Sequence, residues 1–356
     1  MTMDETKDLL TRFQPKEAKL LSADPQVTLA RYTPCGRQLV AASFDGRVRR
    51  WNVESDDVPE LPSLGGHRGW CTALAFRAAG EVLFSADSWG EIRCWKYGAD
   101  AAEPKWRREQ AHDGWIRDLA VSPDGELLAS CGMDRKLRLW SCEGGEPKGE
   151  FAATGNDLFC VRFHPDGKSL FVGDDRGLIR RLALDGAAIR DFDAAPLYTL
   201  SRLQDVGGVR CMALDKEGKL LAVGGTTPAN GGTVTGIPTA FLFDVATGEQ
   251  KHKLQVGDPQ DVNFVDLHLH EAGFLVAATC GTPGKGRFFY LRPEDKTPFF
   301  ESKKVVNCQS LSVRPDGKQL ALVGANAGSN GNGRSLKDGK YPGNQSPIQL
   351  YSLPGA

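Results

Sequence analysis

The chain has 356 residues, 40% hydrophobic and 25% charged, with a formal net charge of −1 and a pI near 6.6. Those proportions are ordinary for a soluble globular protein. They exclude a bulk field that would draw it to nucleic acid or to an anionic membrane, and no apolar run approaches the ~20 residues of a membrane helix.

Taken in chain order, Met1 to Phe13 carries Asp4, Glu5, Lys7, Asp8 and Arg12 around no apolar core. It does not read as a secretory signal, and residues 1–16 are expected to be a tail. The nine cysteines are scattered and form no C-x-x-C pair, which fits buried thiols in a reducing compartment. A cytoplasmic protein without a membrane partner is expected. Residues 17 to 22, Glu17-Ala18-Lys19-Leu20-Leu21-Ser22, read as a short strand.

From there a repeat takes over. Val121-Ser122-Pro123-Asp124-Gly125 returns as Phe163-His164-Pro165-Asp166-Gly167 and as Val313-Arg314-Pro315-Asp316-Gly317, with looser copies ending at Gly36, Gly80, Gly218 and Gly273. Successive closing glycines lie 42 to 55 residues apart, near the period of a propeller blade. Each copy has one grammar, seen in Ile116 to Val121, a Pro-Asp-Gly turn, Leu127 to Ser130, a tight turn, Lys136 to Trp140, and a more polar stretch, Lys148 to Ala152. Period-two alternation between turn signals gives four antiparallel strands per copy. The predicted fold is all-β, a single seven-bladed β-propeller over residues 17–353, with 354–356 trailing. The last copy ends after its third strand, so residues 17–22 are expected to supply the missing outer strand and close the ring.

Ser43-x-Asp45-Gly46-x-Val48-Arg49-x-Trp51-Asn52, Met133-Asp134-x-x-Leu137-Arg138-Leu139-Trp140-Ser141, Gly66-His67 and Ala111-His112 resemble the WD40-repeat propellers, here of bacterial type and degenerate in blades 5 to 7. The resemblance covers roughly residues 15 to 353. It implies a hydrogen-bonded tetrad inside a blade, matched in full only by His112, Ser130, Asp134 and Trp140 of blade 3. Blade 2 has His67, Ser85 and Trp95 but Trp89 at the aspartate position, and blade 1 has Asp45 and Trp51 without a histidine. It also implies a binding scaffold for protein or peptide partners.

Catalytic patterns do not emerge. His268 and His270 alternate on a strand, but His270 holds the turn position of Ser122 and His164. Cys160 and Cys211 share a small-residue slot with Ala73 and Ser310. The adjacent Asp174 and Asp175 are expected in a turn and point apart. No Gly-x-Ser-x-Gly, P-loop or zinc spacing occurs, and no cofactor is expected. Nucleic acid is disfavoured as a partner by the neutral charge and the lack of a motif.

Two surfaces stand out, both on the face that carries the loops leading into the first strands and the turns between the second and third strands. Trp70 and Trp115 lead into blades 2 and 3, Trp89 lies in the turn of blade 2, and Arg68, Asp113 and Arg135 are near them. Tryptophan with arginine at a rim fits a binding hot spot. The second surface is three inserts between the second and third strands of blades 5, 6 and 7: Thr226 to Thr239, Gly281 to Gly286 and Ala325 to Pro347. Their Gly, Asn, Thr and Pro content marks them as loops. With Arg287 they carry Lys285, Arg334, Lys337 and Lys340 against Asp338 alone, together with Asn326 and Asn330. That composition suits an anion-attracting rim. The leading expectation is a non-catalytic scaffold. The alternative is a propeller that binds a small anionic or polar ligand under these loops, as a lactonase-like or other propeller enzyme would.

Overall fold

The computed structural model describes residues 3–98, 103–201, 204–228, 236–326 and 345–353. Seven four-stranded antiparallel sheets follow one another along the chain. Blade 3 shows the plan, with strands Ile116–Val121, Leu127–Gly132, Lys136–Ser141 and Pro147–Ala152 paired in sequence order. The inner turn is set by the repeated glycine. Gly36, Gly80, Gly125, Gly167, Gly218, Gly273 and Gly317 all take φ between 70° and 82°, a left-handed conformation that costs other residues energy.

Each blade is too thin to bury its own faces, so it buries them on its neighbours. Seven apolar clusters result, one at each contact between blades. Between blades 1 and 2, for example, Val40, Val48 and Leu64 meet Leu83, Trp95 and Tyr97. Outer strands are polar and largely exposed, as in Ala188–Asp193, where Phe192 alone is buried.

The ring closes as the sequence predicts. Lys16–Ala23 pairs antiparallel with Ser346–Ser352, so the outer strand of blade 7 comes from the opposite end of the chain. Leu21 and Ala23 then join Val323 and Ile348 in the cluster shared with blade 1. The segment before it is not a simple tail. Met3–Phe13 is helical, and Leu9 and Phe13, four residues apart on one helix face, pack against the cluster of blades 6 and 7. Phe13 is buried, with its ring 4.8 Å from His270 and 5.3 Å from Phe274.

Two further departures concern the loop face. A two-stranded hairpin, Tyr198–Ser201 with Gln204–Gly207, is inserted before blade 5. It accounts for much of the long interval from Gly167 to Gly218. The Thr226 to Thr239 insert is not all loop. Strands Leu220–Pro228 and Gly236–Asp244 extend into it, pairing Thr226 with Pro238 and Thr227 with Ile237. Threonine has high strand propensity, and the Thr227 and Thr239 hydroxyls meet at 2.8 Å across the pair.

Candidate partner-binding face

The aromatic face rests on buried polar networks. In blade 3, Trp140 Nε1–H donates to Ser130 Oγ at 2.8 Å, Ser130 Oγ lies 2.6 Å from His112 Nε2, and His112 Nδ1 lies 2.9 Å from Asp134. Burial opposes the Asp134 carboxylate, but hydrogen bonds from His112 and Arg138 outweigh it and hold its pKa far below the usual range. Burial lowers the His112 pKa, which keeps the ring neutral and donating to Asp134.

Blade 2 corrects the sequence reading, which had Trp89 in place of the aspartate and no acid to complete the set. His67 Nε2 lies 2.7 Å from Ser85 Oγ, Trp95 donates to Ser85 at 2.8 Å, and His67 Nδ1 lies 3.3 Å from Asp87. Asp87 stands two residues earlier, at the end of the second strand. It accepts the backbone N–H of Gly69, Trp89 and Glu91. Asp174 does the same in blade 4, accepting the N–H of Arg176 and Leu178 and the side chain of Asn156. It is therefore the last residue of its strand, not a turn residue, and only Asp175 lies in the turn. Asp87-Ser88-Trp89-Gly90 and Asp174-Asp175-Arg176-Gly177 share an Asp-x-x-Gly signature that would have located both.

His67, Asp87 and Glu91 place donor atoms within 4.8 Å of one another. Both Glu91 oxygens are held by Arg93, at 2.9 and 3.1 Å, and a guanidinium at this spot opposes a divalent cation. The cluster belongs to the tetrad scaffold. His270 stacks on Phe274 and its Nδ1 accepts the Ala272 N–H, a turn role. Cys160 donates to the Val209 carbonyl, and burial raises its pKa, as it does for Cys211.

Above these networks, turn and leading loop are tied by backbone hydrogen bonds from Ser88 N to Trp70 O (2.9 Å) and from Met133 N to Trp115 O (3.0 Å). Trp70 is 45% exposed and Trp89 66% exposed. Trp70 meets Phe44 edge-on at 4.9 Å and Trp115 at 5.4 Å. Trp89 lies against Gly69. Arg68 and Asp113 are exposed beside them. Arg135, also exposed, takes φ 65° where the turns of blades 1, 2 and 4 have Gly46, Gly90 and Gly177, and it pairs with Asp157 at 3.3 Å.

The proposed anionic rim fares differently. Arg287 is buried and already neutralised by Asp261 and Glu301, so it is a structural cation and not a rim cation. Lys285 is exposed, and its backbone N–H donates to Thr282. Asn326 receives the Asn307 amide on its carbonyl. Asn330, Arg334, Lys337 and Lys340 lie outside the described residues.

The sequence reading passed over Arg117, Phe159 and Arg210. Arg117 lies over Trp115, its guanidinium carbon 4.7 Å from the ring centre, and both arginines lie over Phe159. Their signal was a shared phase, since Arg117 and Phe159 are the second residues of their blades' inner strands and Arg210 directly precedes the first paired residue of its own, Cys211.

With this geometry in view, comparison with known proteins gives the class. The family model described as "WD domain, G-beta repeat" matches residues 19–52, 59–96, 106–141 and 145–180. The chain thus carries four WD40 repeats within residues 19–180, and its described residues form a β-propeller of seven blades. It is 22% identical over 364 aligned residues to Periodic tryptophan protein 2 of Arabidopsis thaliana, an alignment covering 83% of this chain and 39% of that protein. It is 24% identical over 156 residues to Target of rapamycin complex subunit wat1 of Schizosaccharomyces pombe, covering 44% of this chain and 48% of that one. The chain thus spans less than half the length of either relative. No helix among the described residues is long and apolar enough to cross a membrane.

Proposed function

We propose that this protein is a non-catalytic interaction scaffold of the cytoplasm that binds a protein partner on the loop face of blades 2 and 3. The observation that carries this reading is the exposure of Trp70 and Trp89, at 45% and 66%, on a face braced from below by two tetrads. Large aromatic side chains left in water on a rigid support are a standing cost that a partner relieves, and tryptophan with arginine is the commonest composition of binding hot spots. Arg68, Asp113 and Arg135 form the polar rim around Trp70, Trp89 and Trp115. That one relative is named as the subunit of a complex is in keeping with this role.

The test is affinity capture from the native host followed by titration of the recovered partner. Trp89→Ala should melt like the parent, because the ring is mostly in solvent, and should bind the partner about 2 kcal/mol more weakly. Unchanged affinity, or a large loss of melting temperature, would remove the tryptophan patch from the site.

A further inference from the structure

The inner strand of each blade begins with one residue thrown out of register. In five blades it is the extra residue of a β-bulge: Thr28, Thr72, Arg117, Phe159 and Val265. Arg210 and Gln309 hold the same place in blades 5 and 7, directly before the first paired residues, Cys211 and Ser310. A bulge re-aims its side chain, and here the seven form a ring at the loop-face mouth of the central channel.

Most of the ring is neutral. Thr28 and Thr72 donate to carbonyls of the next blade, Cys71 and Ile116. The charged members are Arg117 and Arg210, whose guanidinium carbons lie 5.1 and 4.8 Å from the Phe159 ring centre. One aromatic ring therefore holds them within about 10 Å of each other. Other arginines deeper along the channel are answered by acids, Arg31 by Asp266 at 2.8 Å and Arg162 by Asp118.

The two at the mouth are not answered. Among the described residues neither has a carboxylate within ion-pair distance, and Arg117 Nε has no hydrogen-bond partner. Asp157, paired with Arg135, bears on Arg117, and the half-buried Asp175, one oxygen of which has no hydrogen-bond partner, bears on Arg210 from beyond ion-pair distance. Burial, and then repulsion from Arg210, make the Arg117 cation less favourable than usual. A cleft of about 470 Å³ opens beside Arg210, lined in part by Asn263, Thr282 and Gln309, and Asn263 Oδ1 is itself unpartnered. Arg117 is half-buried and Arg210 exposed, neither is in an ion pair among the described residues, and an anion placed between them would meet two cations at once.

The line of rings continues from Arg117 to Trp115, Trp70 and Phe44. We infer that the partner presents an acidic side chain to the channel mouth, an Asp or Glu seated between Arg117 and Arg210, with neighbouring apolar residues on Trp115 and Trp70. This rests on the reading of the loop face as a protein-binding surface.

The test uses the full chain and labelled ~12-residue peptides of alternating Gly and Glu, with Gln and Lys counterparts, titrated at low and moderate salt. The Glu peptide should bind roughly tenfold or more tightly than the Gln peptide, and the preference should shrink with salt. Arg117→Gln with Arg210→Gln should abolish the preference, whereas Lys318→Gln, in an exposed turn away from the mouth, should keep it. Arg210→Glu, at an exposed position, should turn the preference toward Lys and does not depend on the double variant folding. Equal binding of Glu and Gln peptides by the parent, or a Glu preference that survives the double variant, overturns the inference. So does tight, arginine-dependent binding of inorganic phosphate without a Glu preference, which would assign the mouth to a small anion. Failure of the scaffold reading looks different, because capture of the partner would then be indifferent to Trp89→Ala while the Glu preference stood.

Discussion

Asp87 sits two residues before the turn position that Asp134 holds in blade 3, yet it binds the same kind of partners: a histidine and the backbone of the leading loop. It can do so because the last residue of a strand and the second residue of the following turn both point into that pocket. Sequence alignment by repeat phase therefore missed it, and placed the exposed Trp89 in its role. Asp87 is fully buried, with a histidine and three N–H groups depending on it. Asp87→Ala should cost about 3–5 kcal/mol, as removal of one member of a buried pair does, read as a fall in denaturant midpoint at unchanged slope. A loss below 1 kcal/mol would show that the blade 2 network is ornamental. The blade 3 tetrad was legible because its four residues fall at the phase expected of the repeat. Arg287 was misread for a complementary reason. Its charge was visible, but its acids, Asp261 and Glu301, come from a loop and an outer strand whose approach no local pattern announces.

At the level of elements, strands and inner turns were legible because period-two alternation and a positive-φ glycine are local signals. The closure strand was legible by subtraction, since the last repeat was one strand short. The N-terminal helix was not, because Leu9 and Phe13 give a helix face too short to stand out and stable only against blades 6 and 7. The same holds for the Tyr198–Gly207 hairpin, which packs only on its neighbours. Removal of residues 1–24 takes away both the helix and the outer strand of blade 7, baring the edge of Ser346–Ser352. The truncated protein should melt at lower temperature and self-associate, as followed by calorimetry and light scattering. A monomer with the parental melting temperature would contradict closure through this strand.

For the whole molecule, seven blades set seven equivalent positions on one face, and function is written in the differences between them. Blades 2 and 3 put tryptophan where others have small or polar residues, and blades 3 to 5 put Arg117, Phe159 and Arg210 at the channel mouth. Repeat phase made the tryptophans visible from sequence, but the convergence of the two arginines on one ring depends on the curvature of the closed propeller. The central claim is that a protein partner sits on this face. The most direct measurement places a photo-crosslinking phenylalanine analogue, one position at a time, at Trp89, at Ile189 on the outer strand of blade 4, and at Lys318 in an inner turn of the opposite face, and irradiates the protein with its captured partner. The account predicts crosslinked partner from position 89 and none from 189 or 318. Crosslinks from 318 or 189 with none from 89 would contradict it.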